Sequence, residues 1–92
     1  MIVARKFIIS GFVQGVGFRY FAQEAALRDG ICGWVANRED RSVEVFAEGD
    51  LEAVDRFEAK MRRGPAGARI DEVFVDDDVP TGHGAGFRIK ER

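Results

Sequence analysis

The sequence has very few of the residues that build disulfides and zinc sites. Of its 92 residues, one is cysteine (Cys32) and one is histidine (His83). A lone cysteine forms no intrachain disulfide, and one cysteine with one histidine is too small a set for a Cys/His zinc site. Because disulfides are typical of oxidising compartments, this composition predicts a cytoplasmic protein.

Long apolar runs and an excess of positive charge are also missing. No stretch approaches the ~18 apolar residues that a membrane span requires, and residues 1–6 place their charges after a short apolar start, the reverse of a signal peptide. The chain contains 14 Lys and Arg residues and 16 Asp and Glu residues, which gives a formal net charge of −2. We therefore expect no membrane association and no general nucleic-acid binding, although one local anion site remains compatible with this balance.

What the chain does contain is the apolar content of a compact fold. Hydrophobic residues make up 46% of it, eight of them are Phe, and only two residues are Pro. At this length the composition predicts a single domain over residues 1–92, with phenylalanines forming much of the core.

Hydrophobic periodicity predicts an alternation of strands and helices. The predicted strands are residues 3–13, 31–37, 42–47, 69–75 and 87–90, the first helix is 18–29, and residues 76–86 form a polar loop. A second helix is predicted to start after the N-cap Asp50 and to end at Gly64 and Pro65. Two helices cannot cover both faces of so small a sheet. We therefore predict an α+β, ferredoxin-like βαββαβ sandwich, with both helices on one face of an antiparallel sheet and a short terminal strand.

Several apolar side chains are predicted to lie in the core. On the first helix these are Phe18, Ala22 and Ala25, and on the second they are Leu51, Val54, Phe57 and Met61. We also expect Cys32 to fill core space, and Tyr20 to pack beside the loop that precedes its helix.

The segment between the first strand and the first helix carries the clearest chemical signal. Residues 11–19 read GFVQGVGFR. Gly15 and Gly17 allow a tight turn in which backbone N–H groups converge, and the helix start adds unpaired N–H groups and a partial positive charge. Arg19 lies in the first helical turn, where its planar guanidinium matches two oxygens of one phosphate. The segment therefore suggests a small anion cradle.

Two common nucleotide-binding patterns do not fit this segment. The dinucleotide pattern needs a third glycine where Tyr20 stands, and the P-loop pattern needs a Gly-Lys-Ser/Thr sequence that is missing. Taken alone, the segment is equally compatible with a purely structural turn.

A second motif removes that ambiguity. Residues 33–44 read GWVANREDRSVE. Together with residues 11–19, this motif closely resembles the acylphosphatase family, and further similarity around residues 64–71 and 86–89 extends the match over essentially the whole chain. The resemblance implies the ferredoxin-like fold reached above, and hydrolysis of acyl phosphates to a carboxylate and inorganic phosphate without a metal or other cofactor.

The resemblance also implies a role for each matched residue. Arg19 and the backbone amides of the loop would hold the phosphoryl group, and Asn37 would orient the attacking water. The expected phosphate-binding residues are Gln14, Gly15, Val16, Gly17, Phe18 and Arg19. The expected partners are a small-molecule acyl phosphate and inorganic phosphate, bound by a monomer. The alternative is a non-catalytic phosphate-binding or interaction module on the same fold; the presence of both Arg19 and Asn37 favours the enzyme.

Other polar residues are interpreted as structural. The run Asp76–Asp78 lacks the spacing of a calcium loop and is predicted to be a solvated strand end. His83 is predicted to be exposed and uninvolved. Two positions depart from the family pattern. Arg41 stands where glycine is common, and Glu91 and Arg92 stand where the family often ends in tyrosine.

Overall fold

The computed structural model describes residues 1–82 and 86–91. Over these ranges the chain forms five strands and two helices. In chain order they are β1 (Ile2–Phe12), α1 (Phe18–Asp29), β2 (Cys32–Asn37), β3 (Val43–Asp50), α2 (Leu51–Arg63), β4 (Arg69–Asp78) and β5 (Phe87–Lys90). Within the same ranges, neither helix has the length and apolarity to cross a bilayer.

The strands form one sheet in the order β4-β1-β3-β2-β5. Strand β1 lies between β3 and β4 and is antiparallel to both, and β2 is antiparallel to β3. The predicted ferredoxin-like arrangement is therefore confirmed. The short β5 adds to the edge of the sheet beside β2 and runs parallel to it, with Val35 opposite Ile89.

The core lies between the sheet and the two helices. Fully buried side chains on the strands, including Phe7, Ile9 and Val35, belong to the same apolar cluster as Phe18 and Phe57 from the helices. The predicted helix faces are buried, except for Leu51, which is only partly covered.

Strand β4 is longer than the sequence predicts. The residues Asp76–Asp78 continue the strand and are exposed there, so they do not begin a loop. Asp76 lies opposite Lys6 and Asp77 opposite Arg5, and opposite charges across neighbouring strands stabilise the pairing. The acidic run is thus a solvated strand end, as expected, and it pairs with a basic strand.

Two local expectations need correction, and a third is confirmed. Asp50 occupies the N-cap position of α2, but its carboxylate accepts a hydrogen bond from the Met1 amine (3.2 Å) instead of from a helix N–H. Cys32 is half-buried and not enclosed in the core. Tyr20 lies beside the loop that precedes its helix, as expected, and is 69% exposed. The expectation for His83 falls outside the residues that the structure describes.

The turn between β2 and β3 holds Arg41 in the left-handed region, with φ of 75°. The turn is closed by two backbone hydrogen bonds, from Arg38 N–H to the Ser42 carbonyl (2.9 Å) and from Arg41 N–H to the Arg38 carbonyl (3.1 Å). A non-glycine residue in this conformation brings its Cβ close to the backbone, at a cost of about 1–2 kcal/mol.

We expect Arg41→Gly to stabilise the protein. Glycine relieves the strain, but it also gives the unfolded chain more freedom, so the net gain is about 0.5–1 kcal/mol. Chemical denaturation measures it as a higher midpoint at an unchanged slope. A lower midpoint would show that the Arg41 side chain contributes more to the turn than its backbone strain costs.

Candidate active site

A small cleft opens where the loop after β1, the start of α1 and the end of β2 meet. Its volume is about 120 Å³, below the roughly 300–1,000 Å³ of sites that enclose a drug-sized ligand. The residues that line it are Val13, Gln14, Gly15, Gly17, Phe18, Arg19, Tyr20 and Asn37. The cleft thus unites the two sequence motifs and suits a group of phosphoryl size.

The loop that forms one wall depends on two glycines. Gly15 and Gly17 both have φ of 78°. A Cβ added at either position would meet no atom within 4 Å, so space does not exclude a side chain there. Glycine is favoured because it adopts this backbone conformation without strain. The open space beside both residues leaves the backbone accessible from the cleft.

The first turn of α1 forms the second wall and carries the partial positive charge of a helix start. Gly17 is the N-cap and has no side chain to accept a hydrogen bond, and the first turn contains no acidic residue. The first α-helical bond runs from Phe21 N–H to the Gly17 carbonyl (3.0 Å). Helix geometry therefore leaves the preceding N–H groups without intrahelical acceptors, which makes this helix end a good anion site.

Two of the predicted phosphate-binding residues have side chains that point into the core. Phe18 is fully buried, and Val16 is partly buried against the same apolar cluster. Their side chains hold the loop on the core, so only their backbone groups are available to an anion.

Arg19 supplies the full positive charge at the cleft. Its side chain is 30% exposed, and its Nη1 atom lies 3.4 Å from Oε1 of Glu91, which is 84% exposed. An exposed ion pair of this kind contributes at most about 1 kcal/mol. It engages Nη1, so a phosphate can bind the remaining guanidinium donors while Glu91 stays beside Arg19. The sequence analysis missed this contact, because only the parallel pairing of β5 with β2 brings Glu91 beside Arg19.

Asn37 approaches the cleft from the sheet. It is the last residue of β2, two positions after the fully buried Val35. Residues two apart on a strand share a face, so Asn37 lies on the helix-covered side, beside the glycine loop. The predicted meeting of the two motifs is present in the structure.

Gln14 has a structural contact that the sequence analysis did not predict. Its Nε2 donates hydrogen bonds to the carbonyl oxygens of Arg38 (2.9 Å) and Ser42 (3.0 Å). These two residues close the turn that begins directly after Asn37. The side chain predicted to bind phosphate therefore ties the glycine loop to the strand end that carries Asn37.

The same turn is stabilised by Asp40. Hydrogen bonds from the hydroxyl and the backbone N–H of Ser42 lower the pKa of the Asp40 carboxyl. A lowered folded-state pKa means that this stabilisation is present at neutral pH. It is lost in acid, below the ordinary aspartate pKa of about 3.9, as the carboxylate is protonated.

We expect Gln14→Leu to lower both stability and turnover. The change removes both hydrogen bonds. Each carbonyl keeps its backbone donor but loses the Gln14 amide, and the two lost bonds together cost about 1–3 kcal/mol in the free energy of unfolding. It also frees the glycine loop from the turn after Asn37, so alignment of the two walls is lost. Denaturation and steady-state kinetics on one preparation measure the two effects.

Gln23→Leu is the matched control for that variant. Gln23 makes a similar bond, from Nε2 to the Phe87 carbonyl (3.1 Å), but does not line the cleft. We expect it to lose stability while keeping turnover. Equal turnover in the two variants would contradict a positioning role for Gln14.

Among residues 1–82 and 86–91, no group of three or more His, Cys, Asp or Glu side chains is arranged to hold a metal ion. In particular, Asp76–Asp78 project from a strand and form no such cluster.

Comparison with known proteins identifies the family. The acylphosphatase family model matches residues 5–89. The acylphosphatase of Nitrobacter hamburgensis is 46% identical, with 96% of this chain and 86% of the relative covered. That of Moorella thermoacetica is 45% identical, with 97% and 95% covered. The crystal structure of Bacillus subtilis acylphosphatase superposes with a TM-score of 0.91 at 34% identity, covering 98% of this chain and 99% of that one. The chain belongs to the acylphosphatase family.

Proposed function

We propose that the chain hydrolyses acyl phosphates to a carboxylate and inorganic phosphate, with Arg19 and the loop amides binding the phosphoryl group and Asn37 orienting the water. The observation that carries this assignment is the cleft itself. It combines an arginine, a helix start with no capping side chain or first-turn acid, and an amide side chain on the facing strand.

The leaving group explains why so few residues suffice. The bond that breaks joins phosphorus to the oxygen of a carboxyl group, and its electron pair leaves with the carboxylate. The conjugate acid of that leaving group has a pKa of about 4. It departs without a proton at neutral pH, so the site requires no general acid.

Catalysis then rests on charge and position. Phosphoryl transfer places negative charge on the equatorial oxygens of phosphorus. We assign their binding to Arg19 and to the backbone N–H groups of residues 15–19. Each charge-assisted hydrogen bond contributes about 1.5–3 kcal/mol, and such bonds are strongest where the donors are fixed before the reaction, as they are in a rigid helix start.

The nucleophile is a water held by Asn37 in line with the leaving oxygen. Its oxygen forms a new bond to phosphorus as the bond to the carboxyl oxygen breaks, and its proton passes to a phosphate oxygen. The products are a carboxylate and dihydrogen phosphate, which keeps both protons of the water, so atoms and charge balance without a protein base.

We also propose that residues 1–92 act as one monomeric domain in the cytoplasm. One apolar cluster shared by the sheet and both helices supports the single domain. The charges of both signs interspersed along the sequence support the monomeric state, and the lone cysteine supports the cytoplasmic location.

The assignment is tested with acetyl phosphate as substrate and inorganic phosphate as inhibitor. We expect hydrolysis above the spontaneous rate, with competitive inhibition by phosphate, because product and substrate present the same oxygens to the cleft. Absence of hydrolysis would favour the non-catalytic module. Purely non-competitive inhibition would place the anion site elsewhere on the molecule.

A further inference from the structure

The cleft accommodates the phosphoryl group but little more. At about 120 Å³ it has no room for a bulky acyl group in addition. The acyl group of a bound substrate must therefore lie at the mouth, against whatever side chains are exposed there. Those side chains determine which acyl groups bind well.

Tyr20 is the exposed apolar surface at that mouth. The other large apolar residues that line the cleft, Val13 and Phe18, are fully buried, whereas Tyr20 is 69% exposed. The ring of the neighbouring Phe21 packs on Phe18 at 5.8 Å between centroids. An exposed aromatic ring directly after the phosphate-binding arginine is well placed to cover an apolar group attached to the phosphate.

Glu91 adds negative charge beside the arginine of the cleft. Its Oε1 atom lies 3.4 Å from Arg19 Nη1, so a carboxylate lies within hydrogen-bonding range of the guanidinium. A second negative charge on the acyl group would be repelled by it. At a separation of a few ångströms this repulsion is on the order of 1 kcal/mol in water, which corresponds to about fivefold in affinity.

Resting on the function proposed above, we propose that Tyr20 and Glu91 form an acyl-side subsite that selects uncharged, aromatic or apolar acyl groups over anionic ones. Tyr20 contributes the favourable contact, and Glu91 contributes the discrimination against charge.

The contribution of Tyr20 is tested by comparing benzoyl phosphate with acetyl phosphate. We expect Tyr20→Ala to raise the KM for benzoyl phosphate roughly 3- to 10-fold at similar kcat, since the contact is made in both the ground and the transition state. The rise for acetyl phosphate should be clearly smaller, because a methyl group covers little of the ring. Tyr20→Phe keeps the ring and should restore the KM for benzoyl phosphate.

Leu27→Ala is the control for a lost exposed side chain. Leu27 lies on the same helix and is also 69% exposed, but it does not line the cleft. It should leave the KM for both substrates unchanged. An effect as large as that of Tyr20→Ala would show that the helix surface, and not the subsite, sets the KM.

The contribution of Glu91 is tested with 4-carboxybenzoyl phosphate, which adds one negative charge to benzoyl phosphate. We expect Glu91→Gln to raise kcat/KM for the charged substrate about 2- to 5-fold relative to the uncharged one. Because the result is the ratio of kcat/KM between the two substrates, any effect of the substitution on phosphate binding by Arg19 is common to both and cancels. The control is Glu24→Gln, because Glu24 pairs with Arg28 (3.1 Å) away from the cleft; it should leave the ratio unchanged.

Failure of the subsite is distinguishable from failure of the function. If the wild-type protein hydrolyses acetyl phosphate with competitive phosphate inhibition, but Tyr20→Ala changes both KM values equally and Glu91→Gln leaves the ratio unchanged, the subsite is wrong and the function stands. If the wild-type protein hydrolyses none of the three substrates, the function itself is wrong.

Discussion

Arg19→Lys is expected to lower kcat/KM and weaken inhibition by phosphate together. Lysine keeps the positive charge but loses the planar pair of donors that matches two phosphate oxygens. The loss of about one charge-assisted hydrogen bond, ~1.5–3 kcal/mol, corresponds to roughly 10- to 10²-fold in each quantity. The free energy of unfolding should hardly change, because within residues 1–82 and 86–91 the Arg19 side chain forms its ion pair with the exposed Glu91 alone.

Arg28→Lys is a matched control for that variant. Arg28 belongs to the same helix and pairs with an exposed glutamate, Glu24, but it does not line the cleft. We expect its kinetics to match the wild type. If Arg19→Lys were as active as Arg28→Lys, Arg19 would be a solvated helix residue and the site assignment would be wrong.

Asn37→Ala is expected to separate catalysis from binding. Asn37 is assigned to the water and not to the phosphate, so its loss removes an interaction made chiefly in the transition state. By comparison with the loss of one preorganised polar group, turnover should fall roughly 10²–10³-fold. The affinity for inorganic phosphate should stay within roughly fivefold of the wild type, about the effect of 1 kcal/mol.

Both quantities are measured on one preparation, with circular dichroism as the folding control. A parallel loss of phosphate affinity would assign Asn37 to the phosphate-binding group. If neither turnover nor phosphate affinity changed, Asn37 would have no role in catalysis and would only end the strand, as polar residues often do.

The elements that form the cleft could be predicted from sequence because local physics specifies them. Gly15 and Gly17 mark a turn with positive φ, and the helix formers that follow mark the start of α1. Strand alternation puts Asn37 on the same face as the buried Val35. Each of these inferences uses neighbours within a few residues, and each position is confirmed in the structure, while the catalytic roles stay predictions.

The missed features all depend on partners distant in sequence. The hydrogen bonds of Gln14 reach across the fold to Arg38 and Ser42. Glu91 reaches Arg19 only because β5 joins the sheet beside β2. Periodicity along one segment carries no information about such pairings.

The ends of strands are hard to predict from sequence for the same reason. The acidic residues 76–78 are typical of a loop, because their own propensity for strands is low. They continue β4 because β1 places Arg5 and Lys6 opposite two of them. The sequence around each strand predicts its centre well, whereas its length is decided by the neighbouring strand.

The central claim is that the cleft holds the phosphoryl group while water attacks phosphorus. Hydrolysis of acetyl phosphate in ¹⁸O-labelled water, at an enzyme concentration that outruns spontaneous hydrolysis, tests it directly. The account predicts that the label appears in inorganic phosphate, with none incorporated into acetate. Label in acetate would mean that water attacks the carbonyl carbon, and the assigned roles of Arg19, the loop amides and Asn37 would then be wrong.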